Sequence, residues 1–308
     1  MVSAITVVVN WAYVRKRPGR EIDKFRNVPY NIEVCNFGSS HGKYAFEYLE
    51  TGKVGFNFAL GSQMPTYDVR ILKSYLNHFA EGAIVFIPIS FFSFYGLSEE
   101  DRDGFASKNK RYYEFLPYEN IKYADGVTKL FVAYLPALTA DEELFSVLFG
   151  QEDDDPIETK TTNKEDAEAS AYSRYLTHIV ADKFDDSGKR IVNEEEIQAV
   201  YELIEMCRKN ELVPVLITTP FLSEYVDAIE ENDPSFFLEF YGALEEIIDK
   251  TGVQYLDFSR DERFSHNYNL FLDIDHLNEK GAELFTCIAL SQLRQLHLYR
   301  QTLGGIKQ

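Results

Sequence analysis

Ile32-Glu33-Val34-Cys35-Asn36-Phe37-Gly38-Ser39-Ser40-His41-Gly42 is the stretch that decides the fold. Its first six residues are a short apolar run rich in β-formers, and they lead directly into a glycine-flanked turn, so a strand over Ile32 to Phe37 followed by a sharp bend is expected. Ala45, Tyr48 and Leu49 then share one helical face, and Gly52 stands where a C-terminal helix cap belongs.

The same unit repeats outward from there. Val54 to Ala59 reads as a second strand ending at Gly61, Val69, Leu72, Leu76 and Phe79 mark a helix stopped by Gly82, and Ala83 to Ile89 reads as a third strand. Ile197, Val200, Ile204 and Cys207 mark a helix before the apolar run Val213 to Thr218. Phe237, Phe240, Leu244, Ile247 and Ile248 mark another, capped near Gly252, before Val253 to Phe258. Strands alternating with helices imply right-handed crossovers, and so an α/β fold: a three-layer α/β/α sandwich around a central parallel sheet, flavodoxin-like in architecture. Between about Leu97 and Ala171 the alternation breaks. The whole chain, 1–308, is expected to be one α/β domain, with 97–171 inserted as a cap that is partly mobile loop. The insertion carries the aromatic group Tyr112, Tyr113, Phe115, Tyr118 and Tyr123, expected to form a small core of its own, and a polar stretch over Gln151 to Ser170 that includes the acidic run Glu152 to Asp155.

Composition narrows the partners. With 31 basic against 50 acidic residues in 308, the net charge is 31 − 50 = −19, which repels phosphate backbones and excludes nucleic acid as an expected partner. Cys35, Cys207 and Cys287 are far apart and lack metal-ligand spacing, so neither a zinc site nor a disulfide framework is expected. Ala4 to Val14 is apolar apart from Asn10 and is followed by Arg15, Lys16, Arg17 and Arg20. It falls short of the roughly 20 residues that cross a bilayer, and its charge follows the apolar run rather than preceding it, unlike a cleavable signal peptide. A strand or helix packed on the body, and a cytoplasmic protein, is the default expectation. The alternative is a shortened or interfacial anchor that places the protein at the cell envelope, and membrane association is expected only through this segment.

In an open parallel sheet, ligands bind beyond the carboxyl ends of the strands. The residues there are Ser40, Gly61 and Ser62, Ser90, Thr219 and Pro220, and Asp257. Gly38 to Gly42 has the form G-x-S-x-G, in which glycines permit a tight strand-to-helix turn that exposes the central hydroxyl. A serine becomes nucleophilic when a base, itself oriented by a third group, removes its proton. Of the six histidines, only His276 has an acid three residues earlier, in Asp273-Ile274-Asp275-His276-Leu277-Asn278. Asp273 can turn back to one ring nitrogen and leave the other for a hydroxyl, while Asn278 reads as the N-cap of the last helix. Asp275 is expected to point into solvent, and His41 to contact substrate or to pack. The proposed chemistry needs neither a metal nor a cofactor.

Only 39 residues precede Ser40, too few for the strands that come before the nucleophile in an α/β-hydrolase. A serine after the first strand, with Asp and His together near the C-terminus, instead resembles the SGNH (GDSL-like) hydrolase superfamily, over about Ile32 to Ile89 and Val213 to Leu293. The resemblance implies that Ser40 is the nucleophile, that Gly61 is the second-block oxyanion donor, and that Asp273 and His276 complete a triad. Ser39 replaces the usual acid before the nucleophile, and the third-block asparagine is absent, leaving Ser90 as the expected third oxyanion donor. The string Asp-x-x-His-Leu-Asn followed by Gly281-Ala282, with Thr219-Pro220, is most similar to the branch that includes cell-envelope polysaccharide acylation proteins. A serine esterase or acyltransferase acting on an O-acyl, chiefly O-acetyl, ester of a small molecule or glycan is therefore expected. The alternative is a protein of the same fold that binds a glycan without turning it over. A flavodoxin-like nucleotide binder would share the architecture, but no Walker loop or G-x-G-x-x-G run is present.

Overall fold

The computed structural model describes residues 4–16, 20–98, 105–139 and 161–305. Five strands, β1 (Ile32–Asn36), β2 (Gly55–Asn57), β3 (Phe79–Pro88), β4 (Val213–Thr218) and β5 (Gln254–Asp257), form one sheet in the order β2-β1-β3-β4-β5. Every pairing is parallel, with Cys35 opposite both Phe56 and Val85, Phe86 opposite Val215 and Leu216 opposite Tyr255. The expected α/β/α sandwich is thus present. The central strands are apolar at consecutive positions because helices cover both faces; Val34, Cys35, Val85, Phe86, Ile87, Val215, Leu216 and Ile217 are all closed to solvent.

The helices are α1 (Ala4–Lys16), α2 (Ser40–Ala45), α3 (Pro65–Tyr75), α4 (Phe105–Lys110), α5 (Gly126–Tyr134), α6 (Lys164–Tyr175), α7 (Glu194–Lys209), α8 (Ser223–Asn232), α9 (Phe236–Thr251) and α10 (Glu279–Gly305). The β1-to-β2 step runs one way along the sheet and every later step runs the other. Right-handed crossovers therefore put α2 on the opposite face from α7 and α9. α10 packs beside α2, and α7 lies on β4. The strand order reverses between β1 and β3, so the loops beginning at Phe37 and Ile89 flank the crevice where such sheets bind ligands.

Local contacts override several propensities. The helix expected through Tyr48 and Leu49 stops at Ala45, because Asn57 Nδ2 reaches the carbonyls of Gly42, Lys43 and Phe46 at 3.0–3.2 Å and draws the chain out of helical geometry. A single 3-10 turn, Leu49–Thr51, follows and closes on Gly52 at φ 67°. β3 begins at Phe79 rather than Ala83, and Gly82, at φ 72°, kinks the strand where its register against β1 slips. Three glutamates, Glu194 to Glu196, open α7 after its N-cap Asn193, and the buried Glu196 carboxylate accepts from the Thr66 amide at 2.9 Å and the Thr66 hydroxyl at 3.2 Å, at the start of α3.

The chain forms two compact units. The sheet-bearing unit comprises Pro29–Val69, Asn77–Gly96 and Pro156–Gln308; the other comprises Met1–Val28, Arg70–Leu76 and Leu97–Asp155. The last part of the expected insertion thus belongs with the sheet. Residues 164–170, expected as loop, open α6, capped by Asn163, and its buried face of Ala167, Ala171 and Tyr175 packs toward α8. Positions 151–160, including the acidic run, lie outside the described residues. In the other unit Tyr112 is fully buried and Phe115 stacks on Phe25 with ring centroids 3.9 Å apart, so part of the aromatic group does build a local core, while Tyr123 is exposed. The N-terminal apolar stretch is helical, and no helix among the described residues is long and apolar enough to cross a membrane.

Candidate active site

The turn after β1 is built by two glycines. Gly38 takes φ 103°, a left-handed conformation open to glycine, and its amide donates to Asp68 Oδ1 at 3.1 Å. A Cβ on Gly42 would collide with the Phe37 carbonyl oxygen. Ser39 is extended and caps α2, whose first residue is the half-buried Ser40. Being first in a helix, Ser40 has an amide that geometry leaves without an intrahelical partner. The loop carrying Gly61 runs alongside, through the Leu60 amide to Gly38 carbonyl bond of 3.2 Å.

The 273–276 loop folds around Asp273. Its Oδ1 accepts from the amides of Asp275 at 3.1 Å and His276 at 2.9 Å, and the carboxylate meets His276 Nδ1 at 2.9–3.0 Å. Asn278 Oδ1 accepts from the Gly281 amide at 3.0 Å and starts α10, as the sequence indicates. The imidazole lies against the first turn of α2, its centroid 5.3 Å from that of His41 and 5.1 Å from that of Tyr44. Tyr44 shares the Ser40 face of α2, four residues on. His276 Nε2 is buried and has no hydrogen-bond partner among the described residues, so the expected bond to Ser40 is not made.

The structure corrects the reading of Asp275. It is 2% exposed rather than solvated, and it anchors a cluster that sequence reasoning missed. Its Oδ2 lies 3.0 Å from His41 Nε2 and 3.4 Å from His178 Nδ1, while its Oδ1 lies 3.2 Å from the Arg174 guanidinium and 3.4 Å from His276 Nδ1. Arg174 also reaches Asp273, at 3.1 Å. α6 supplies Arg174 and runs into the π-turn Leu176–Val180, which carries His178 and bonds its Nδ1 to the Tyr225 hydroxyl at 3.1 Å. The i, i+4 spacing of Arg174 and His178, just past the expected insertion, is the signal the sequence offers for this pair.

Electrostatics sort the cluster. Burial alone would raise the Asp275 carboxyl, but His276, His41 and His178 hold it well below the usual carboxylate range. Burial pushes His41 down, only partly offset by its bond to Asp275, and pushes His178 down to about 3. Burial also opposes a charged His276, but Asp275 and Asp273 outweigh it and its affinity for the proton is raised. With Asp275 ionised and His41 neutral, His41 donates from Nε2. Its Nδ1 then accepts from the Ser90 hydroxyl, 2.8 Å away.

His41 is accordingly a buried, hydrogen-bonded residue with no open face for substrate contact. Ser90 spends its amide on Ser93 Oγ at 2.9 Å and its hydroxyl on His41, which leaves neither hydrogen for an oxyanion. Donor atoms of His41, Asp275 and His276 lie within 4.8 Å of one another, a spacing open to a metal ion. Here the charge of Asp275 is met by Arg174 and His276 Nδ1 faces Asp273, so the group reads as a proton-holding network.

No family model matches the chain, and no curated protein matches it. Among solved structures, a protein from Bacteroides fragilis described as a "putative acylhydrolase" aligns over 93% of this chain and 98% of its own, at 10% identity and a TM-score of 0.41. A likeness at that level carries no argument about chemistry.

Proposed function

We propose that the protein is a serine esterase or acyltransferase of the SGNH type, with Ser40 as nucleophile, His276 as base and Asp273 as the group that orients the imidazole. The observation that carries this is the state of His276: Nδ1 held by Asp273, ring against Tyr44 one turn on from Ser40 in α2, and Nε2 buried without a partner among the described residues. A buried, unpaired ring nitrogen is costly in a structural role and is what a base awaiting a hydroxyl requires.

Ser40 Oγ adds to the ester carbonyl as its proton passes to His276 Nε2, and Asp273 stabilises the imidazolium. The oxyanion is assigned to the amides of Ser40 and Gly61, because the Ser90 amide and hydroxyl are bound to Ser93 and His41. Collapse breaks the ester C–O bond, and the imidazolium protonates the departing alcohol. Water or an acceptor hydroxyl then attacks the acyl-serine by the reverse route, giving hydrolysis or transfer. The O-acyl glycan as substrate rests on the resemblance carried by the Asp273-to-Ala282 string together with Thr219-Pro220.

One observation favours a second reading. Ser90, His41 and Asp275 form an unbroken hydrogen-bonded chain of hydroxyl, imidazole and carboxylate. Ser90 is 3% exposed, however, and a nucleophile must be reached by its substrate. Fluorophosphonate labelling with peptide mapping separates the two. Label on Ser40, lost in Ser40→Ala and kept in Ser90→Ala, supports the first reading; label on Ser90 supports the second. No label on either, together with no hydrolysis of p-nitrophenyl acetate, leaves a glycan-binding protein.

A further inference from the structure

The helix α1 is packed inside out. Its stripe Thr6, Asn10 and Tyr13 turns inward, where Asn10 Oδ1 accepts from the Ala137 amide at 3.1 Å and its Nδ2 meets the Tyr134 carbonyl at 3.5 Å. The arc left outside carries Val7, Trp11 and Val14 at helical spacing, flanked by Ile5 and Val8, all exposed. α5, which ends at Tyr134, repeats the pattern: Val127, Leu130, Phe131 and Tyr134 stand at i, i+3, i+4 and i+7, the spacing that ordinarily faces a core, and all four are exposed. Leu138, just after α5 in the turn that packs on α1, is exposed as well. Exposed apolar side chains in this number on two neighbouring elements point to an interaction site.

Charge says what covers it. Acidic residues number 50 in 308, yet α1 with 13 residues and α5 with 9 contain none. Arg15 stands in the outward arc, with its guanidinium 4.5 Å over the Trp11 ring, and the sequence continues with Lys16 and Arg17. A strongly acidic protein is repelled by an anionic bilayer, and that repulsion is weakest where helices without acids carry cations beside them. Exposed aliphatic side chains, Trp and Tyr beside them and cations alongside are the composition of a helix that lies in the interface. We propose that the α1–α5 surface docks this protein on an anionic lipid bilayer, with α1 lying in the headgroup region. The assignment uses none of the residues proposed for catalysis.

Trp11 is the only tryptophan in the chain and is therefore a built-in reporter. The full-length protein is titrated with vesicles of phosphatidylcholine alone and of phosphatidylcholine with phosphatidylglycerol, following tryptophan emission and co-flotation. A blue shift and flotation with the anionic vesicles, at least tenfold weaker with the neutral ones and in the exposed-site variants Val8→Glu and Leu130→Glu, is the expected result. Equal partitioning into both vesicles, or none into either, overturns it. So does a dimer in light scattering that both variants convert to monomer while lipid leaves the emission unchanged, because the surface then joins two copies of the chain.

Discussion

His41 Nε2 and Asp275 Oδ2 lie 3.0 Å apart with both side chains closed to solvent, so the residue after Ser40 is bonded to the residue before His276. The two ends of the proposed catalytic chain are therefore joined by a buried bond that does not use the catalytic groups.

Asp275 should set the working pH. The groups facing His276 are Asp273 and Asp275 on its own loop, Arg174 from α6, and His41 and Tyr44 from α2. Asp275 favours the charged imidazole, and a general base must be neutral, so the acid limb of kcat/KM is expected above the usual histidine value. Asp275→Asn removes that attraction and should move the limb to lower pH, with the His276 resonance titrating lower by NMR. An unmoved titration would show that Asp275 has no such influence.

Acid should unfold the protein in a specific window. Unfolded histidines titrate near 6.5, whereas burial pushes His178 down to about 3 and lowers His41. Between those values the unfolded chain binds protons that the fold excludes, so stability falls as pH drops from about 6.5, and Asp275, ionised in the fold, adds to the loss below about 4. His276, raised, works in the opposite sense. Urea midpoints should decline from pH 7 to 4, and His178→Gln should flatten the slope; an identical slope in the variant would contradict the account.

What the sequence disclosed follows from how local each signal is. Strand positions are legible because runs such as Val213–Thr218 are apolar up to their last residue, and the Asp273–His276 pairing is legible because it closes within one turn. The expectation of a solvated Asp275 fails because alternation of neighbouring side chains holds in strands and breaks down where two amides and a ring gather on one carboxylate, that of Asp273. Arg174 and His178 reach Asp275 from about 100 positions away, and no spacing rule connects them. The break after Ala45 is likewise tertiary, since it depends on an asparagine in the next strand.

Three glycines should respond differently to alanine. At Gly42 and Gly281 the added methyl would meet a backbone carbonyl, of Phe37 and Leu270 respectively, and each is expected to lose about 1–3 kcal/mol by urea unfolding. Gly242, inside α9 with open space around it, should gain about 0.5–1 kcal/mol. A neutral Gly42→Ala would show that the turn relaxes freely.

Ser40→Ala should abolish turnover, by at least about a thousandfold, whereas Ser90→Ala only frees His41 Nδ1 and should change the rate far less. Initial rates on p-nitrophenyl acetate decide it, and the reverse ranking would transfer the nucleophile to Ser90.

Asn57 sits on β2, a three-residue strand at the sheet margin, and its amide grips the carbonyls of the helix that begins at Ser40. Margins fray first. Each transient parting of β2 from β1 therefore loosens the seat of the attacking hydroxyl, and amide hydrogen exchange along Gly55–Asn57 should keep step with exchange in the Ser40 helix.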